Sequence, residues 1–155
     1  MRKLLLTFAA LLPLVAASQP REWNPKPMSE FGNDTVAYIK HNFSSQDENM
    51  QAYFKDKTIG EMIPKLGFDV KYVSSWDFKN IKTIMFVAIA RKYIRDGVQV
   101  SLAVPFSVQS NPAAYNKLKS EGANNVPFDD EVLDLIKDMK IEQIEAIRLI
   151  IEDMY

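Results

Sequence analysis

The chain has 155 residues, and 19 Lys and Arg against 20 Asp and Glu give a formal charge of −1 at pH 7. Its hydrophobic share of 47% is typical of a folded globular protein, and the near-neutral charge gives no indication of nucleic acid as a partner. The chain has one histidine and no cysteine, which excludes disulfides, thiolate catalysis, iron–sulfur clusters and cysteine zinc sites. With no glycine-rich phosphate loop in the sequence either, we expect no cofactor and no metal.

The N-terminus has the pattern of a secretory signal peptide. Two basic residues precede an apolar run from Leu4 to Ala17, and Ser18 follows. The run is about fourteen residues long, whereas a membrane-spanning helix needs roughly twenty. We therefore predict that residues 1–18 form a signal peptide and that the mature protein is periplasmic or extracellular, with no transmembrane segment.

A polar segment with three prolines follows the signal peptide. Proline removes a backbone donor and biases the residue before it toward extended geometry. We therefore expect a flexible or extended leader over residues 19–33, with a proline-rich docking peptide around Trp23 as the alternative. The remaining residues, 34–155, are predicted to form a single domain.

Capping residues and apolar periodicity predict the helices. Asp34 has the place of an N-cap, Thr58 and Glu61 have the spacing of a capping box, and Gly67 has the place of a C-cap glycine. Pro64 is expected to kink or shorten the helix that Thr58 opens. The predicted helices cover residues 35–43, 49–55, 58–66, 112–121 and 130–139.

The strands are predicted from apolar alternation and turn residues. Residues 68–73 alternate, and residues 81–94 and 98–106 are two β-rich runs on either side of Asp96–Gly97, a dipeptide typical of a type I′ hairpin turn. A two-residue turn there places Leu102, Val104 and Phe106 on one face with Arg91, Ile89 and Val87. The C-terminal segment fits a helix or a strand, and we predict a strand from near residue 144.

The element order predicts an α+β fold: an antiparallel sheet built around a central β-hairpin, with helices packed mainly on one face. The helices are grouped before and after the hairpin, and they do not alternate strictly with strands. This grouping favours α+β over a parallel α/β sheet.

One segment has the composition of a binding surface. Three aromatic residues stand close together beside an acid and a base in a predicted loop, and aromatic side chains bring large contact area at modest entropy cost. The alternative is that Trp76 and Phe78 fold back over the core. The candidate binding residues are Tyr72, Trp76, Asp77, Phe78 and Lys79.

Catalysis has weaker support in the sequence. His41 is the single histidine, and the sequence contains no nucleophile-elbow motif for which it would act as the base. Its place near a helix C-terminus is explained by the helix dipole. Paired carboxylates are the remaining catalytic groups, although helix starts also favour acids. These carboxylates belong to Asp47 and Glu48 in one cluster and to Asp129, Asp130 and Glu131 in the other.

The sequence therefore predicts an exported, non-catalytic binding or protein-interaction module with a protein or glycan partner in the envelope or exterior. Two alternatives remain open. One is a small hydrolase that uses the carboxylates, and the other is a subunit of an envelope assembly that pairs through an exposed sheet edge.

Overall fold

The computed structural model describes residues 23–93, 98–120 and 125–153, and for residues 78, 89–93, 98–100 and 151–153 it describes the backbone alone. The predicted signal peptide, the turn at Asp96–Gly97 and the helix end at Gly122 lie outside the described residues.

The described part of the chain contains five α-helices and six strands. The helices are α1 (Thr35–Asn42), α2 (Glu48–Phe54), α3 (Ile59–Met62), α4 (Pro112–Ser120) and α5 (Asp130–Ile136). The strands are β1 (Tyr72–Phe78), β2 (Ile81–Tyr93), β3 (Val98–Gln109), β4 (Val126–Pro127), β5 (Lys140–Ile144) and β6 (Arg148–Asp153).

The predicted helix starts are confirmed by their caps. Asp34 accepts two backbone N–H bonds from the first turn of α1, at 2.9 and 3.1 Å. Thr58 and Glu61 form the reciprocal capping box at the start of α3. Asp47 and Asp129 accept the corresponding bonds at the starts of α2 and α5. These side chains satisfy N–H groups that have no acceptor within the helix.

The third helix is shorter than its apolar stripe suggests. After Met62 the α-helix changes into a 3-10 turn over Ile63–Lys65, which contains Pro64. Proline has no N–H for the α-helical hydrogen-bond ladder, and its ring clashes with the preceding turn. Gly67, at φ +68°, follows this turn in the left-handed conformation that the sequence predicts for it.

The α+β prediction is confirmed by a six-stranded antiparallel sheet in the order β4-β1-β2-β3-β5. The strand β6 also pairs with β3, so β5 and β6 lie end to end along one edge of β3.

Hydrophobic side chains from the middle strands form one core with side chains from the helices. Its members from the sheet include Ile84, Phe86, Leu102, Val104 and Phe106, and its members from the helices include Ile39, Met50, Phe54, Met62 and Leu118.

The predicted register of the central hairpin is wrong. Leu102, Val104 and Phe106 lie opposite Ala88, Phe86 and Ile84, respectively, and not opposite Arg91, Ile89 and Val87. Val98 pairs with Tyr93 and not with Arg95, which shifts the register by two residues, and a bulge between Ile89 and Arg91 shifts it by one more. Since side chains alternate along a strand, this odd total shift exchanges the faces of β2 and lets its apolar set enter the core.

The prediction of a loop over residues 72–79 is also wrong, because most of this segment is the strand β1. A tight turn at Lys79 and Asn80, with φ +47° and +70°, joins it to β2. Positive φ at both central residues is the geometry of a type I′ hairpin turn. The preceding strand prediction is correspondingly misplaced, since β1 begins at Tyr72 and not at residue 68.

The C-terminal strand prediction holds for β6, although β6 begins at Arg148 and a second strand, β5, precedes it. Of the segment predicted as a flexible or extended leader, residues 19–33, the structure describes residues 23–33. Met28–Phe31 is a 3-10 turn, and the Trp23 ring lies 4.8 Å from the Phe54 ring. The Trp23 indole therefore packs against α2.

Within the described ranges, no helix has the length and apolar character needed to cross a membrane.

Candidate functional site

The strand β1 separates the predicted binding residues. Side chains alternate along a strand, so the backbone places Tyr72, Trp76 and Phe78 on one face of the sheet and Asp77 on the other. Lys79 lies in the turn after the strand. The Phe78 side chain lies outside the described part of the structure. The five residues therefore do not form one surface.

Asp77 lies on the face of the sheet that carries the helices. Its carboxylate accepts a 2.8 Å bond from the Lys119 ammonium of α4, and this bond lowers the pKa of Asp77. Beside it, Tyr115 of α4 is 1% exposed, and its hydroxyl lies 3.4 Å from the Thr83 carbonyl oxygen. Burial, followed by the bond to Asp77, raises the pKa of Tyr115. These contacts attach α4 to the sheet, which indicates a structural role for Asp77.

Trp76 lies on the opposite face, where 39% of its surface is exposed. The guanidinium carbon of Arg148 lies 3.8 Å from the centroid of the Trp76 ring system. At this distance the cation is attracted by the electron-rich face of the indole. Arg148 thus fixes the position of an exposed aromatic side chain. No local signal in the sequence pairs these two residues, because the contact joins β1 to the last strand.

The Trp76–Arg148 contact shows that the sheet curls toward this face. Trp76 of β1 lies opposite Thr83 of β2, which in turn lies opposite Ser107 of β3. Arg148 of β6 lies opposite Ala103, which is four residues away from Ser107 along β3. In a flat sheet, three strand spacings would separate the two residues by about 14 Å, and four residues along β3 would add about 13 Å along the strands. Bulges in the β2–β3 and β3–β5 pairings provide the additional twist that brings the side chains together.

The concave face beneath this contact is built from small residues. Several of them are buried although they do not belong to the helix-side core. Ser74 also accepts a 2.9 Å bond from the Asn125 backbone N–H, which joins β1 to the segment before β4. The buried members are Ser74, Thr83, Val87, Ser101, Ala103 and Ser107.

We call the accessible part of this face the Trp76 surface, defined as Tyr72, Trp76, Met85 and Arg148. Tyr72, Met85 and Arg148 are partly exposed at its sides. The surface offers one aromatic plane, a thioether, a phenol and a guanidinium. This arrangement is suited to holding a ligand by stacking and hydrogen bonding.

The candidate catalytic groups lie elsewhere. The carboxylates of Asp47 and Asp129 accept backbone bonds at helix starts, which explains the acids at those places. The His41 ring lies 5.3 Å from the Phe31 ring in the last turn of α1. In the part of the chain that the structure describes, no group of three or more His, Asp or Glu residues is arranged to hold a metal ion.

Comparison with known proteins gives no relative: no protein-family model, no curated protein and no solved structure matches the chain.

Proposed function

We propose that the chain is an exported, non-catalytic binding module that holds a protein or glycan partner at the Trp76 surface. The observation that carries this proposal is the 39% exposure of Trp76 together with its contact to Arg148, on the sheet face opposite the helices. A tryptophan held in place with part of its indole accessible offers a partner a large aromatic contact at low cost in side-chain entropy.

The chemistry of the two side chains matches this role. An indole plane stacks on the apolar face of a sugar ring or on an apolar side chain. A guanidinium group that stacks on an aromatic ring keeps the N–H groups at its edge available. Arg148 is therefore able to donate a hydrogen bond to a hydroxyl or carbonyl oxygen of the same partner. The signal-peptide pattern of residues 1–18 supports the expectation that this partner is met outside the cytoplasm.

Affinity capture tests the proposal. The protein, in the form that its source cells accumulate, is immobilised and exposed to an envelope extract of those cells at low and moderate salt. We expect a protein or glycan to be retained at both salt concentrations, because aromatic stacking is not screened by ions. Trp76→Ala is expected to weaken retention at least about tenfold, as for a central aromatic contact of an interface.

Leu149→Ala is the matched control. Leu149 is 58% exposed but lies on the other face of the sheet, so retention is expected to persist in this variant. Both variants are first compared with the parent protein by circular dichroism and thermal unfolding. Equal retention by the parent and a folded Trp76→Ala variant contradicts the proposal, as does the absence of any specific capture.

A further inference from the structure

The two strands at the β3 edge of the sheet differ in how their outer sides are covered. On β5, the Gln51 side chain donates to the Ile144 carbonyl oxygen at 2.7 Å and accepts from the Ile144 N–H at 2.9 Å. Asp56 N donates to the Ile141 carbonyl oxygen, and Ile141 N donates to the Lys57 carbonyl oxygen. The outer side of β5 is therefore satisfied by the α2–α3 region.

The strand β6 has no such cover among the described residues, where its single pairing is with β3. Its Leu149 is 58% exposed, the highest value among the large apolar side chains that the structure describes as exposed. An edge strand carries a row of backbone donors and acceptors that is able to pair with another strand. This edge is thus suited to adding a strand.

The residues of β6 are complementary to themselves in one antiparallel register. When Ile150 lies opposite Ile150 of a second copy, position 149 faces position 151, and the positive position 148 faces the negative position 152. Opposite charges then meet at both ends of the pairing, with apolar residues between them. All of these pairs also join positions on the same face of the sheet, as antiparallel pairing requires.

The neighbouring allowed registers lack this match. Residues opposite each other in an antiparallel pair have their side chains on the same face of the sheet. The nearest alternative registers are therefore centred on residue 149 or on residue 151. The first shift places Arg148 opposite Ile150, and the second places Leu149 opposite Asp153. Both put a charged residue opposite an apolar residue within β6, whereas the register centred on residue 150 does so only at Asp153, whose opposite residue Ile147 lies outside the strand. Residue 150 is therefore the favoured centre.

We propose that β6 pairs with β6 of a second copy of this chain, centred on Ile150, so that the two sheets become one. The two-fold axis is perpendicular to the sheet, so both Trp76 surfaces face the same side. Because the Arg148 guanidinium lies over Trp76 on the inner side of β6, it contributes to the pairing through the attraction between its charge and position 152 of the second copy, not through a direct contact. The proposal rests on β6 and does not depend on the partner of the Trp76 surface.

Charge reversal tests the pairing. We expect sedimentation velocity to show a concentration-dependent dimer for the protein in the form that its cells accumulate. Arg148→Glu and Glu152→Arg are each expected to raise the dissociation constant about tenfold, since both symmetry-related pairs become repulsive. The double variant Arg148→Glu with Glu152→Arg restores opposite charges and is expected to recover the dimer.

A cysteine cross-link tests the register. The natural chain has no cysteine, so Ile150→Cys introduces one thiol per copy. Residues 150 of the two copies lie opposite each other, within disulfide range, and oxidation is expected to link the dimer. Asp153→Cys is the control: its two copies are offset by six residues, about 20 Å along the strands, and are expected to remain unlinked.

The outcomes also separate this proposal from the binding function. The double charge variant retains the dimer while it loses the Trp76–Arg148 stack, so a loss of partner capture with an intact dimer concerns the binding proposal alone. A monomer at the highest soluble concentration overturns the dimer. So does a dimer that no charge variant weakens, a double variant that stays monomeric, or capture of a different protein by β6 in place of a second copy.

Discussion

Tyr115 connects helix α4 to the sheet through a single buried hydroxyl. Its ring is 1% exposed, and Lys82 lies 5.0 Å from the ring centroid on the sheet side. The hydroxyl interacts with the Thr83 carbonyl oxygen and with the Asp77 carboxylate. The same carboxylate accepts from Lys119, so one acid joins two residues of the helix to β1. Tyr115 and Lys119 are four residues apart in α4, about one helical turn, so their side chains lie on the same face of the helix.

Tyr115→Phe is expected to reduce the stability below pH 10 by about 1 kcal/mol, because the ring is kept and one buried hydrogen bond is lost. Folding raises the pKa of Tyr115 above its ordinary value of 10.0, so the folded state holds this proton more tightly. The hydroxyl's contribution is therefore full below the ordinary pKa and is lost as the pH rises toward the folded-state pKa. Urea unfolding of the parent protein and the Tyr115→Phe variant at several alkaline pH values is expected to show that the difference in their free energies of unfolding narrows as the pH rises. A constant difference would contradict this account.

At the scale of one element, the end of the α3 segment is fixed by a close contact with α1. The Tyr38 hydroxyl donates to the Leu66 carbonyl oxygen at 2.9 Å, and Tyr38 is buried. Gly67 follows in a left-handed conformation, and a Cβ atom there would overlap the Tyr38 hydroxyl. Glycine is thus required at this position by backbone conformation and by space together.

Gly67→Ala is expected to destabilise the protein by about 3 kcal/mol, from left-handed strain and the steric overlap combined. Gly32→Ala is the matched control. Gly32 has φ +59° but nothing within 4 Å of an added Cβ, so about 1 kcal/mol of strain alone is expected. Chemical denaturation measures both values. In a Tyr38→Phe background the cost of Gly67→Ala is expected to fall, and an unchanged cost would contradict the overlap.

At the scale of the whole molecule, the curl of the sheet distinguishes its two faces. Helices pack on one face, while the other carries small buried residues and the Trp76–Arg148 contact. Because this contact joins β1 to β6 across the two central strands, it holds the curled shape at its open side. The same geometry displays the Trp76 surface and leaves β6 at the edge.

A double-mutant cycle measures the strength of this contact. We expect Trp76→Ala and Arg148→Ala to be coupled by about 0.5–1 kcal/mol in the free energy of unfolding, the range for a partly exposed cation–π pair. The control cycle combines Trp76→Ala with Leu149→Ala, residues on opposite faces, and is expected to show no coupling beyond about 0.3 kcal/mol. Equal coupling in the two cycles would contradict a specific interaction between Trp76 and Arg148.

The sequence by itself determined the α+β class and the helix starts. Asp34, Thr58 and Glu61 act on backbone groups within three residues, so local spacing is sufficient to predict their roles. Pro64 and Gly67 act similarly, through conformational limits that belong to the residue itself.

Tertiary structure decided the hairpin register and the separation of the candidate site. A bulge and the pairing of Tyr93 with Val98 exchanged the faces of β2, and the burial of Ile84 and Phe86 selected that arrangement. Pairing with β2 made a strand of the segment from Tyr72 and so placed Asp77 on the face opposite Trp76. The contact of Arg148 with Trp76 depends on the curl of the complete sheet, and no local pattern in the chain encodes that curl.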